Sequence, residues 1–166
     1  MKTLILGLGN PIVRDDALGL IVAERVAQEV EVDVLRGSLS GLRLLDSVTG
    51  YDRVIIVDAT QTGEDRPGTV HRHELAALAT GTVLPTPHRW GIAEALAFGR
   101  QAGMEVPSQV VVYTMEAGDL SDFGEGLSPQ VEAAIAGMVQ RIVGEQFRQP
   151  PADPTSNPRG EQCQTG

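Results

Sequence analysis

Val54-Ile55-Ile56-Val57, closed by Asp58, constrains the fold more than any other stretch of this chain. Four β-branched residues in a row leave no polar position to face water, so a strand built from them must be buried on both faces. Two further stretches read as buried strands, Leu4-Ile5-Leu6, which runs into the turn formers Gly7 and Gly9, and Gln109 to Thr114. Between them the period changes. Leu18, Ile21, Val22 and Val26 recur at three- and four-residue spacing, and Glu24, Arg25 and Gln28 fall off that stripe. This is an amphipathic helix, expected to start near Asp15-Asp16, since acidic residues favour a helix N-terminus.

The rest of the chain continues the alternation. Val32 to Leu35 is a strand, Leu42 to Val48 a short helix reached through Gly41, and Thr69 to His73 an alternating strand after the Pro67-Gly68 turn. An Ala-rich helix is expected from Trp90 to Gln101 and a last one from Pro129 to Phe147, where proline suits a first helical position. Strands alternating with helices predict one α/β domain, a three-layer sandwich with a mostly parallel twisted sheet and helices on both faces. Composition agrees: 42% of the 166 residues are hydrophobic and only 4% aromatic, so the core must be aliphatic. The domain is expected to span residues 1–148. Residues 149–166, rich in proline and polar groups from Pro150 onward, are expected to form a disordered tail whose truncation leaves activity intact.

Charge and cysteine content exclude several classes. A formal net charge of −9 is wrong for gripping nucleic-acid phosphates or an anionic membrane. The single cysteine, Cys163, permits no intramolecular disulfide. No apolar run reaches membrane-spanning length, and Met1-Lys2-Thr3 leads into a strand-like run with no room for a signal peptide. The expectation is a cytoplasmic protein.

In open α/β sheets ligands gather at the carboxyl ends of the strands. Three polar groups fall there: Asp16 at the opening of the first helix, Asp58 at the end of the Val54–Val57 strand, and His88 ahead of the Trp90 helix. Two carboxylates and an imidazole can hold a divalent transition metal such as nickel or zinc. Three protein ligands leave positions open for metal-assisted hydrolysis. Each residue also has an ordinary explanation, an aspartate at a helix start as a cap, an aspartate after a strand as a turn former, a histidine before glycine as a loop residue. His71 and His73, at i and i+2 on one strand face, read as a solvated surface pair before they read as a metal site. Glu116 and Asp119 follow the Gln109 strand and are candidates to line the cleft.

Three segments together resemble the hydrogenase maturation proteases. Gly7-Leu8-Gly9-Asn10, a four-residue spacer, Asp15-Asp16 and then Gly19 resemble that family's opening signature. Ile55-Ile56-Val57-Asp58-Ala59 resembles its strand ending in Asp-Ala, and Pro87-His88-Arg89-Trp90-Gly91 its histidine-containing helix start. Gly37 with Gly41, and Gly126-Leu127-Ser128-Pro129, match further family positions, so the likeness spans Met1 to about Phe147. One departure is Arg36, where many members carry an acidic residue.

The resemblance implies an endopeptidase that removes a C-terminal extension from the precursor of a [NiFe]-hydrogenase large subunit. It implies that Asp16, Asp58 and His88 contact nickel, and that the substrate delivers the metal, so the isolated protease need not carry it. The partner is then the large-subunit precursor, and the protein a small acidic monomer that docks on it transiently. Asp15 is a candidate helix cap, or a partner that orients Asp16.

Other readings compete. A non-catalytic nickel-checkpoint or chaperone protein for the large subunit would keep the same three residues. Peptidyl-tRNA hydrolase shares the Gly7-Leu8-Gly9-Asn10-Pro11 opening, but Val13-Arg14-Asp15-Asp16 follows where that family has its catalytic histidine, and the charge is wrong for tRNA. A dinucleotide-binding turn would need glycine where Ile12 stands, and Asp15 and Asp16 would repel a pyrophosphate.

Overall fold

The computed structural model describes residues 1–74 and 92–148. Five strands form one sheet in the order β2-β1-β3-β5-β4. These are β1 (Thr3–Leu8), β2 (Asp33–Gly37), β3 (Arg53–Thr60), β4 (Val70–Glu74) and β5 (Gln109–Glu116). β1, β2, β3 and β5 run parallel, while β4 lies antiparallel against β5 at one edge. The described helices are α1 (Leu18–Glu29), α2 (Gly41–Val48), α3 (Ile92–Gln101) and α4 (Pro129–Val143), the last continuing through a π turn, Gly144–Arg148.

The apolar runs explain the layering. In β3, odd-numbered Ile55, Val57 and Ala59 enter a core shared with Leu18, Val22 and Val26 of α1 and with Ile135, Met138 and Ile142 of α4. Even-numbered Val54 and Ile56 enter a second core with Leu44, Leu45 and Val48 of α2 and Leu96 of α3. Side chains of a strand alternate between faces, so one continuous apolar run supplies both cores. Each buried Val, Leu or Ile is worth about 1.5–3 kcal/mol relative to exposure. The predicted three-layer α/β sandwich is therefore the observed fold.

Some boundaries differ. The first helix does not begin at Asp15-Asp16. Arg14–Ala17 forms a 3₁₀ turn, and the α-helix starts at Leu18. Asp58 does not end its strand, which runs on to Thr60. β5 continues alongside it, pairing Asp58 with Thr114, Ala59 with Met115 and Thr60 with Glu116. The last α-helix stops at Val143, where the chain widens into the π turn. His88, the start of the Trp90 helix and the residues from 149 onward lie outside the described residues.

Candidate active site

The carboxyl edge of the sheet is shaped by three glycines that let α1 approach the strands. A Cβ on Gly19 would stand 2.2 Å from the Leu8 carbonyl oxygen and 2.5 Å from that of Val57. A Cβ on Gly7 would stand 2.3 Å from the Gly19 carbonyl oxygen. Gly9, at φ 150°, turns the chain so that a Cβ would meet the Asp16 carbonyl oxygen at 1.9 Å. Only glycine tolerates these approaches. They seat the first turn of α1 directly over the ends of β1 and β3, and the preceding 3₁₀ turn packs against β3.

Asp16 sits in that 3₁₀ turn and is buried, 8% exposed. Its Oδ2 accepts a hydrogen bond from the Asn10 N–H at 2.8 Å, and its own N–H donates to the Val13 carbonyl at 2.9 Å. The Asn10 side chain in turn accepts from the Ile12 N–H at 3.2 Å, which shapes the loop between Gly9 and the turn. Asp58 is 2% exposed. It lies one residue beyond the Val57–Gly7 pairing, on the face of β3 that bears Val54 and Ile56, and its Oδ1 accepts from the Ala59 N–H at 2.9 Å. The two aspartates thus occupy adjoining positions at the carboxyl edge, one on the turn over β3 and the other within β3. Both are hard oxygen donors suited to a divalent cation, and no thiolate stands beside them among the described residues.

Asp15 finds partners that its sequence neighbourhood did not announce. It makes no side-chain cap bond to the helix that follows. Fully buried, its carboxylate accepts from Ser128 N–H at 2.6 Å, Gly118 N–H at 2.8 Å, Ser128 Oγ at 2.8 Å and Asp119 N–H at 2.9 Å. Ser128 precedes α4 yet makes no side-chain cap bond to that helix, its hydroxyl going instead to Asp15. The signal for this was faint: a doubled aspartate, and a Ser-Pro helix start more than a hundred residues away.

The remaining candidates have structural roles. Glu116 accepts from Thr62 N–H, Thr62 Oγ1 and Gly63 N–H, fastening the loop after β3 to the end of β5. Asp119 closes its own turn by accepting from Ser121 and Asp122, and these bonds hold its carboxyl below the usual range. His71 and His73 do share a face of β4, with ring centroids 6.2 Å apart. His71 pairs with Asp65 at 2.8 Å and His73 with Thr114 Oγ1 at 3.3 Å, and burial lowers the His73 pKa. No group of three or more metal-ligating side chains occurs among the described residues. Arg36 forms an ion pair with Glu24 of α1 at 3.1 Å. A mostly apolar depression of about 500 Å³ adjoins the Asp16 turn, lined by Pro11, Ala17, Leu20 and Ile21. A larger one of about 630 Å³ opens at the opposite edge beside Lys2, Arg53 and Gln146, remote from the aspartates. No helix among the described residues is long and apolar enough to cross a membrane.

Comparison with known proteins converges on one family. A family model described as HycI, hydrogenase maturation protease, matches residues 21–145, a stretch that holds Asp58 and His88 and begins just after the Asp16 turn. The hydrogenase 2 maturation protease of Escherichia coli is 31% identical over 150 residues, covering 86% of this chain and 89% of that protein. The hydrogenase expression/formation protein HupD of Thiocapsa roseopersicina is 28% identical over 145 residues, covering 84% and 65%. Among solved structures, the E. coli maturating endopeptidase HybD superposes with a TM-score of 0.71 at 30% identity, covering 87% of this chain and 91% of that one. The HybD maturation protease of Thermococcus kodakarensis shares the fold, with a TM-score of 0.69 at 24% identity and coverage of 87% and 98%. Sequence and fold together make this chain a member of the hydrogenase maturation protease family, an endopeptidase of hydrogenase maturation.

Proposed function

We propose that this endopeptidase removes the C-terminal extension of a [NiFe]-hydrogenase large-subunit precursor, and that it does so on precursor already loaded with nickel. The observation that carries the reading is the pair of buried carboxylates, Asp16 and Asp58, at the carboxyl edge of adjacent strands β1 and β3. His88 completes the proposed set. Its imidazole, with two carboxylates and no thiolate, makes a weak site that suits a metal borne by the substrate better than one captured from solution.

Nickel arriving in the precursor would supply Lewis acidity at the scissile carbonyl or at a water. The chain supplies the rest. Asp16 and Asp58 bind the substrate-borne metal through carboxylate oxygens that are already desolvated. Water adds to the scissile carbonyl, one of these carboxylates takes its proton, and the proton passes to the departing amine as the C–N bond breaks. The Asn10 N–H keeps Asp16 Oδ2 oriented during this transfer. We further propose that the protein is a cytoplasmic monomer that meets its partner transiently.

Intact-mass spectrometry of the nickel-loaded precursor tests the reading. Loss of one defined C-terminal peptide is expected with the native chain and not with Asp16→Asn, Asp58→Asn or His88→Ala. Stable binding to the precursor without a mass change would overturn it in favour of a checkpoint protein.

A further inference from the structure

We infer that Asp15 is a positioning residue for Asp16, an inference that rests on the reading of Asp16 as a ligand of the substrate's metal. A buried carboxylate is costly unless its oxygens are fully engaged. Asp15 is 0% exposed, and four donors converge on it, all from residues 118–128, more than a hundred positions away. Gly118 is cut to fit: a Cβ there would lie 3.1 Å from Ser128 Oγ and 3.3 Å from Asp15 Oδ2.

Fastening the 118–128 loop does not by itself require this carboxylate. The loop is already tied to the 9–15 segment by Gly124 N–H to the Ile12 carbonyl at 3.1 Å, by Asp15 N–H to the Asp119 carbonyl at 3.3 Å, by bridges between Val13 and Phe123 and Gly124, and by the Arg14–Asp119 ion pair at 3.8 Å. What the carboxylate adds is rotation. A 3₁₀ turn has about three residues per turn, so neighbouring side chains leave it about a third of a circle apart. Pinning Asp15 to Gly118, Asp119 and Ser128 fixes the direction in which Asp16 departs, toward the Asn10 N–H. Asp15 itself makes its bonds to the 118–128 loop and acts only through its neighbour.

The test compares Asp15→Asn, Ser128→Ala and Asp16→Asn with the native full-length chain, in two readouts. One is titration with Ni²⁺ alone, followed by paramagnetic broadening of amide resonances on protein verified as folded. The other is the split between kcat and KM for nickel-loaded precursor. Asparagine at position 15 turns an NH₂ toward N–H donors. Loss of a group that orients a ligand typically weakens metal binding or activity about 10–100-fold. Asp15→Asn should therefore lose about that factor in Ni²⁺ affinity, with KM for nickel-loaded precursor raised and kcat lowered. Ser128→Ala removes one donor of four and should lose a few-fold in Ni²⁺ affinity and in kcat. A folded Asp15→Asn with native Ni²⁺ affinity and kcat overturns the inference. So does native behaviour of Ser128→Ala, should Asp15→Asn fail to fold. Native Ni²⁺ affinity in Asp16→Asn would instead overturn the ligand reading on which the inference rests.

Discussion

Gly19→Ala sets two effects of known size against each other. Alanine in place of a helical glycine gains at most about 1 kcal/mol of helix propensity, an upper bound for Gly19 in the first turn of α1. At Gly19 the new methyl would stand 2.2 Å and 2.5 Å from two strand carbonyl oxygens, where ordinary contact begins at 3.4 Å. Backbone oxygens of a buried parallel sheet cannot swing aside as a flexible side chain can, so the helix must retreat by about 1 Å. Overpacking of this kind costs about 1–3 kcal/mol, occasionally more. With a clash against two strands at once, the upper end applies and the net effect is a loss of about 1–2 kcal/mol. For a chain of this length that is a fall in Tm of about 2–8 °C.

Gly137 in α4 is the matched control, since it is exposed and a Cβ there meets nothing within 4 Å. Gly137→Ala should stabilise by about 0.5–1 kcal/mol. Function separates the two further. Asp16 sits one turn before Gly19, so a retreat of α1 moves it relative to Asp58, and displacement by about 1 Å can cost about a hundredfold in rate. Urea unfolding and cleavage of nickel-loaded precursor should show Gly19→Ala less stable and nearly inactive, with Gly137→Ala more stable and fully active. A Gly19→Ala protein as stable as Gly137→Ala, with a native cleavage rate, would refute the close-approach argument.

Further outcomes are expected. Buried Tyr113 donates to part-exposed Glu145 at 2.7 Å, and burial foremost, with that bond second, pushes its pKa to about 12. The folded state holds this proton longer than the unfolded one, so its stabilising contribution is complete below about pH 10 and is lost as pH rises toward 12; absorbance titration should show that high step vanish in Tyr113→Phe. Burial, and then the neighbouring His71, lower the His73 pKa from 6.5. The unfolded chain therefore takes up that proton first, stability falls as pH drops below about 6.5, and His73→Asn should flatten this part of a urea-unfolding pH series. Removing residues 149–166 should leave both Tm and cleavage rate unchanged.

The strands that form the sheet interior were legible because burial on both faces leaves a run such as Val54–Val57 with no alternation to misread. α1 was legible from its stripe, and the carboxyl-edge location of Asp16 and Asp58 followed from the topology. What escaped was set by tertiary partners. β3 extends past Asp58 because β5 continues to Glu116 beside it, a pairing with no local signal. A 3₁₀ turn at Arg14–Ala17 stands where a helical start was expected, and Asp15 within it bonds across to Gly118 and Ser128. β2 is largely exposed at the sheet edge, so its short apolar run carries less of the core than its composition suggests. Glu116, which looked available to a cleft, is occupied by Thr62 and Gly63. Each depends on which residues tens of positions away stand beside it, or on none standing there, which no periodicity records.

Nickel dependence is tested most directly by a paired cleavage experiment with the native chain, in which one large-subunit precursor is prepared with and without nickel and followed by intact mass. Loss of the C-terminal extension is expected from the nickel-loaded precursor alone. Cleavage of both forms at the same rate would keep the protease and contradict the claim that Asp16, Asp58 and His88 act on a metal carried by the substrate.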